Sequence, residues 1–174
     1  AKPYFDQAIA AGLRSAALQR GIMAEKQEES PLDWYLKELA RHPDNSDAHL
    51  TITMFYLSKG NQLNAFPHFQ KAIQYNPDQA KAHYQLVLFY YAQNRAELVL
   101  HHLNETLRVQ PNHVNALYRL GSIQHWNGQP AEAIKNFTKA LEQEPDNLSL
   151  KQALGLSQEK TASYQQAIAT YSAI

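Results

Sequence analysis

Four of the eight prolines in this chain recur at intervals of 34 residues, at Pro43, Pro77, Pro111 and Pro145. An Asp or Asn directly follows each of them. Proline cannot continue a helix interior, and Asx side chains accept hydrogen bonds from the free N–H groups at a helix start, so each site marks the junction of two helices. A fixed period of this length is typical of stacked helical units, which bury their apolar faces against their neighbours. The spacing therefore predicts a chain of repeated helix pairs.

Other positions of the 34-residue unit also repeat their residue type. A small residue stands four positions before an aromatic one in the pairs Ala65 and Phe69, Ala133 and Phe137, and Ala167 and Tyr171. A Leu-Gly step occurs at Leu120-Gly121 and Leu154-Gly155, and one further position holds Tyr56, Tyr90, Gln124 and Gln158. In these positions the chain resembles the tetratricopeptide repeat family. It departs from that pattern at the position of the family's Trp, which here holds His49, His83, Leu117 and Lys151.

The resemblance implies an all-α fold, a right-handed superhelical solenoid of antiparallel helix pairs with about five hairpins. We expect a single domain over 1–174, with repeats at about 12–45, 46–79, 80–113, 114–147 and 148–174. The predicted helices lie at about 3–11, 13–27, 31–42, 46–59, 62–75, 80–93, 96–109, 114–127, 130–143, 148–160 and 163–174. Ser30-Pro31 is interpreted as a capped helix start, and Asn64 is expected to cap a helix that has Pro67 in its first turn.

The charge balance disfavours a nucleic-acid partner. Sixteen basic side chains face sixteen acidic ones, whereas nucleic-acid binding usually needs a basic excess. The absence of Cys excludes disulfides and thiolate zinc sites. No apolar run approaches the length of a membrane-spanning helix. We therefore expect no nucleic acid and no membrane span, and the compartment is left open between cytoplasm and periplasm.

The eight histidines raise the hypothesis of a metal site. His49 and His83 stand one repeat apart, as do His68 and His102, so their imidazoles could share a zinc ion between repeats. The alternative is that they pack as structural histidines, and we favour it because His49 and His83 occupy the position where the family buries Trp. His101 and Glu105 form a second pair, interpreted as a solvated helix face. No phosphate loop or nucleophile motif is present, and we expect no catalytic residue, no metal and no cofactor.

The resemblance implies that the first helix of each hairpin lines a concave groove, and we expect this groove to be largely apolar and to bind another protein or a peptide segment. Helical phase places these residues on that face: Leu50, Met54, Leu57, Tyr84, Leu88, Tyr91, Tyr118, Ser122, His125 and Trp126. In the best-known mode of the family, basic and amide side chains hold a terminal carboxylate. Lys81 and Arg119 suit that mode, but apolar residues fill the other positions. Insertion of apolar side chains from an extended or helical segment therefore fits better.

The leading hypothesis is a non-enzymatic adaptor or assembly scaffold. The alternative is a substrate-recruiting or regulatory segment of a larger enzyme, such as a transferase. A third hypothesis is self-association through the open ends of the solenoid, since the last helix keeps an apolar stripe. That stripe consists of Tyr164, Ala167, Ile168, Tyr171 and Ile174. For the same reason we expect the chain to be a fragment of a longer protein, or its last hairpin to pack on a partner copy.

Overall fold

The computed structural model describes residues 32–174, which form nine α-helices and no β-strand. The helices are α1 Leu32–Arg41, α2 Ser46–Ser58, α3 Gln62–Tyr75, α4 Ala80–Ala92, α5 Ala96–Val109, α6 Val114–Trp126, α7 Pro130–Leu141, α8 Leu148–Lys160 and α9 Tyr164–Ser172. Each bound lies within two residues of its predicted position. The helices predicted at about 3–11 and 13–27, and the start predicted at Ser30-Pro31, lie outside the described residues.

Helix starts are set by side chains at one position of the repeat. The Oδ1 atom of Asn45 accepts a hydrogen bond from the N–H of Ala48 at 3.1 Å, and Asn147 does the same for Leu150 at 3.1 Å. His113 stands at the equivalent position, where its Nδ1 accepts from the N–H of Ala116 at 3.2 Å. Each of these bonds satisfies a donor that has no partner within the helix. The cap is therefore the second residue after Pro43, Pro111 and Pro145, one position beyond the Asp or Asn that the sequence pattern indicated, while the helices begin where they were predicted.

The turn inside each hairpin also repeats its backbone conformation. Four residues spaced 34 apart have a positive φ: Gly60 at 71°, Asn94 at 56°, Gly128 at 77° and Ala162 at 57°. Glycine adopts this left-handed conformation without steric cost, whereas a Cβ atom is disfavoured there. The turn therefore keeps one geometry although its residue changes.

Pro67 requires a correction to the sequence-based expectation. Helix α3 begins at Gln62, because the Asn61 side chain accepts from the N–H of Asn64 at 3.2 Å. Pro67 consequently lies inside the helix rather than in its first turn. It lacks the N–H that would bond the carbonyl of Leu63, so the helix continues without that bond.

The chain divides into two compact units between Ala82 and His83. In the first unit, α2 packs against α3 and the fully buried core includes Ile52, Ala65 and Phe69. In the second unit, one core cluster surrounds Phe137 and contains Leu117, Ala133, Ala140, Leu150 and Leu154. No helix within residues 32–174 is both long and apolar enough to cross a membrane.

Candidate partner-binding site

Five of the predicted groove residues meet in one cleft of the second unit. The cleft has a volume of about 410 Å³ and is called here the aromatic cleft. Its lining consists of Tyr91, Val99, Tyr118, Arg119, Ser122, Ile123, Trp126 and Asn127. The site therefore combines one residue of α4, one of α5, a whole face of α6 and the residue after α6.

The aromatic side chains of this cleft are open to solvent. Tyr118 and Ser122 are four residues apart and Trp126 follows after four more, so all three lie on one face of α6. The exposed fractions are 59% for Tyr91, 37% for Tyr118 and 80% for Trp126. Ser122 donates its hydroxyl to the carbonyl of Tyr118 at 2.8 Å, which leaves the hydroxyl oxygen able to accept. Large aromatic groups are thus presented to solvent on a regular helix.

Two cations stand against the rings of the cleft. The guanidinium carbon of Arg119 lies 5.2 Å from the ring centre of Tyr91, and its Nε donates to the Tyr84 hydroxyl at 3.1 Å. The ammonium of Lys160 lies 5.3 Å from the ring centre of Trp126. Both distances are in the range in which an aromatic face attracts a cation. The rings therefore orient positive charge at the edge of the cleft.

A second cleft of about 330 Å³ adjoins the first and shares Tyr91, Val99, Ile123 and Asn127 with it. Asn94, Arg95, Ala96 and Leu100 complete its lining. The two clefts together follow the turn between α4 and α5 and the facing side of α6.

The remaining predicted groove residues do not line this cleft. Tyr84 is half-buried with its ring 4.5 Å from that of His113, and Leu88 is also half-buried. Met54 and Leu57 are half-buried and Lys81 is exposed, and all three belong to the first unit together with Leu50.

Two predicted groove residues need correction because their side chains are buried. Leu50 is 4% exposed on α2, against which α1 packs. His125 is 8% exposed, and its Nδ1 lies 2.8 Å from the Ser157 hydroxyl oxygen on α8. Burial lowers the pKa of His125, and the charge of Lys160 adds to this effect. These two side chains take part in helix packing and do not face solvent.

Several cleft residues were missed by helical phase alone. Val99, Ile123 and Asn127 enter from α5, from an inner position of α6 and from the turn after it. Lys160 stands 34 residues after Trp126 and contacts its ring. The repeat spacing alone could therefore have predicted this contact. Repeat-equivalent positions on successive first helices are neighbours in stacked units.

The histidines pair within hairpins. The Nδ1 atoms of His49 and His68 are 2.9 Å apart, and those of His83 and His102 are 3.0 Å apart. Burial lowers the pKa of His68 and of His102 to about 4, with the neighbouring histidine of each pair as the next cause. Among residues 32–174 no three His, Asp or Glu side chains are grouped so as to hold a metal ion. Each pair lies between the two helices of one hairpin and not between neighbouring repeats, and His49, His83 and His102 are buried there.

Residues 114–147 match the family model described as tetratricopeptide repeat. This chain carries a tetratricopeptide repeat. The match covers α6 and α7, so the tetratricopeptide repeat supplies the aromatic face of the cleft. The predicted resemblance to the family is confirmed.

Solved structures share the fold. The MamA protein aligns with a TM-score of 0.71 and 18% identity, over 92% of this chain and 88% of its own. YrrB, described as a tetratricopeptide protein with an unusual peptide-binding site, aligns with a TM-score of 0.72 and 18% identity, over 97% and 89%. PilF of Pseudomonas aeruginosa aligns with a TM-score of 0.72 and 22% identity, over 92% and 74%. No curated protein sequence matches the chain significantly. The expected all-α helical-repeat fold is confirmed.

Proposed function

We propose that the protein is a non-catalytic adaptor or assembly scaffold that binds a polypeptide segment of a partner in the aromatic cleft. The tetratricopeptide fold supports the coarser part of this statement, a protein-interaction module. The single observation that supports the finer part is the convergence of Tyr91, Tyr118 and Trp126 on one open cleft. Rigid aromatic side chains dominate the binding energy of many protein interfaces because they bury much area at little cost in conformational entropy.

The partner is expected to be a segment and not a small cofactor. The two adjoining clefts are open grooves on the helix surface, and each is lined by side chains from two helices of the hairpin and from the next first helix. An extended or helical peptide can place successive side chains into such a surface. YrrB is a neighbour in fold that is described as having a peptide-binding site.

The proposal is tested by capturing partners from a lysate of the source organism on immobilised protein. We expect wild type to retain at least one protein that the Tyr118→Ala/Trp126→Ala variant loses. The matched control is Leu36→Ala/Leu63→Ala, which removes two exposed apolar side chains of the first unit. Circular dichroism of all three proteins establishes that the variants remain folded.

A partner that binds all three proteins equally would contradict the proposed cleft. To locate a retained partner, p-benzoylphenylalanine is placed at Ser122 in the cleft and, for comparison, at Thr138 on the exposed surface of α7. Crosslinking from position 122 and not from position 138 is the expected result.

Self-association is a second candidate, and the exposure of Ile168 favours it. Ile168 is 64% exposed, whereas Ile134, 34 residues earlier, packs against the Phe137 core cluster. A helix from a second copy could cover Ile168 as the following hairpin covers Ile134. Sedimentation at increasing concentration would reveal an oligomer that Ile168→Ser abolishes, and a monomer at all concentrations would exclude it.

A further inference from the structure

The two adjoining clefts carry positive charge without an acidic residue in their lining. Arg95 and Arg119 line them, Lys160 stands over the Trp126 ring, and none of the lining residues is Asp or Glu. The chain as a whole is formally neutral, with 16 basic and 16 acidic side chains. The excess of positive charge is therefore local to this surface, and a partner of opposite charge is favoured there.

Arg119 is held in a geometry that suits a carboxylate. Its hydrogen bond to the Tyr84 hydroxyl uses one of the five guanidinium N–H donors, and the Tyr91 ring lies against the group. Both contacts are with neutral side chains, so neither compensates the charge. A guanidinium fixed in this way can bind a carboxylate with two parallel hydrogen bonds, and little side-chain entropy is lost on binding.

The same surface offers an apolar contact beside the cations. Val99 is buried at 3% exposure and Ile123 is half-buried, and both line both clefts next to the exposed Trp126. A purely acidic ligand would leave the exposed Trp126 ring in water, and a purely apolar ligand would leave the charge of Arg119 uncompensated. The complementary ligand therefore combines a carboxylate with a large apolar side chain.

We infer that the cleft selects an acidic segment of a partner polypeptide in which Asp or Glu flanks a large apolar residue. This inference rests on the function proposed above and names the chemistry of the partner. A peptide is favoured over a single-stranded nucleic acid, which also binds cations and aromatic rings, because the chain has no basic excess to follow a phosphate backbone.

The first experiment is selection of a displayed library of random 12-residue peptides against the immobilised protein. We expect enrichment of sequences that contain Asp or Glu within two positions of Phe, Trp, Leu or Ile. Enriched peptides without an acidic bias overturn this inference but leave the proposed function intact. A selection that enriches no peptide overturns the proposed function as well.

The second experiment measures binding of the most enriched peptide by fluorescence anisotropy. Loss of a charge-assisted hydrogen bond lowers affinity by roughly ten-fold or more, so Arg119→Gln is expected to raise Kd by at least that factor. Arg95→Gln, whose side chain is exposed, is expected to raise Kd by a few-fold, and affinity should fall with added salt. The matched control is Arg108→Gln, an exposed arginine of the same unit that pairs with Glu105 and does not line either cleft.

Replacement of each Asp and Glu of the peptide by Asn and Gln is expected to weaken binding to wild type and to have little effect on Arg95→Gln/Arg119→Gln. Equal binding of both peptides to wild type, or an Arg108→Gln effect as large as that of Arg119→Gln, would overturn the inference. A fluorescent 12-nucleotide oligothymidine is the third ligand. Tighter binding of this oligonucleotide than of the peptide, lost in Arg119→Gln, would also overturn it.

Discussion

The Nδ1 atoms of His49 and His68 face each other at 2.9 Å, so one ring donates this hydrogen bond and the other accepts it. His49 Nε2 lies 3.0 Å from the carbonyl oxygen of Pro43, which can only accept a hydrogen bond. Neutral His49 therefore carries its proton on Nε2 and leaves Nδ1 bare, so His68 must donate its Nδ1–H. The bond survives the protonation of one ring and is lost when both rings are protonated, because each Nδ1 then carries a proton and neither can accept.

Stability is expected to fall in mild acid because of these pairs. The pKa of His68 and of His102 is about 4 in the folded chain, mainly through burial, against an ordinary value of 6.5. Between pH 6.5 and 4 the unfolded chain binds protons that the folded chain does not. The free energy of unfolding therefore decreases as pH falls through this window, by at most about 1.4 kcal/mol per pH unit for each group, and is flat above it.

Urea unfolding at several pH values between 7.5 and 4 checks this prediction. His102→Gln is expected to make the pH dependence shallower, whatever its effect at neutral pH. His102 interacts with His83, His101 and Glu105, so the exposed His101→Gln serves as the comparison. A wild-type stability that does not change between pH 6.5 and 4.5 would show that these histidines are not shifted.

Ala162→Gly is expected to stabilise the protein by roughly 0.5–1 kcal/mol. Ala162 adopts φ 57° at the repeated turn position where Gly60 and Gly128 stand, and a Cβ atom in the left-handed region costs about 1–2 kcal/mol. Part of this gain is offset by the greater freedom of glycine in the unfolded chain. The shift in the midpoint of urea unfolding measures the net change in stability of Ala162→Gly.

Ala169→Gly is the matched control for that substitution, since Ala169 is exposed within α9. There the same change removes a good helix former and should destabilise by about 1 kcal/mol. If Ala162→Gly and Ala169→Gly both stabilise or both destabilise the protein, the positive φ at position 162 does not explain the effect of glycine there.

Gly121→Ala is expected to cost on the order of 1–3 kcal/mol of steric strain, less about 1 kcal/mol of gained helix propensity, and Gly155→Ala is expected to cost less than this. A Cβ at position 121 would lie 2.7 Å from Cε1 of Phe137, whose ring is 1% exposed within its core cluster. A Cβ at position 155 would meet the Tyr171 ring, which is half-buried on α9 and can move outward. Thermal unfolding of both variants ranks the two costs, and the reverse ranking would contradict this account.

One contact between the two helices of a hairpin is made by different residue types in successive repeats. Tyr90 stacks on His102 with ring centres 5.5 Å apart, whereas the equivalent Gln124 accepts from the side chain of Asn136 at 2.7 Å. Gln124→Tyr or Asn136→His alone is expected to destabilise by about 1 kcal/mol, because each breaks that hydrogen bond. The double variant introduces a Tyr–His pair like that of Tyr90 and His102. We expect it to be more stable than the sum of the two single effects predicts, by about 0.5–1 kcal/mol. A double-mutant cycle by urea unfolding measures it, and additive effects would contradict it.

The sequence predicted the helices well because their boundaries depend on local chemistry. The 34-residue spacing of Pro marks the junctions between repeats, and the caps at Asn45 and Asn147 specify two of the helix starts without long-range information. Pro67 is the exception, since Asn61 rather than Asn64 caps its helix and both residues have the same capping chemistry.

The site was predicted only in part because burial at a repeat position depends on the neighbouring helix. Tyr91 and His125 are equivalent positions, yet Tyr91 is 59% exposed and His125 is 8% exposed beside Ser157. Helical phase gives both residues the same direction and contains no information on what the next hairpin places against them. The face of α6 was therefore found, while the contribution of α5 to the cleft was not.

The exposure of Trp126 gives the cleft a spectroscopic signal of its own. The chain has two tryptophans, Trp34 and Trp126, and the indole of Trp126 is 80% exposed. A water-exposed indole emits at long wavelength, and its emission moves to shorter wavelength when a ligand excludes the water. Trp34→Phe leaves Trp126 as the single emitter, so occupancy of the cleft can be followed in solution without a label on protein or partner.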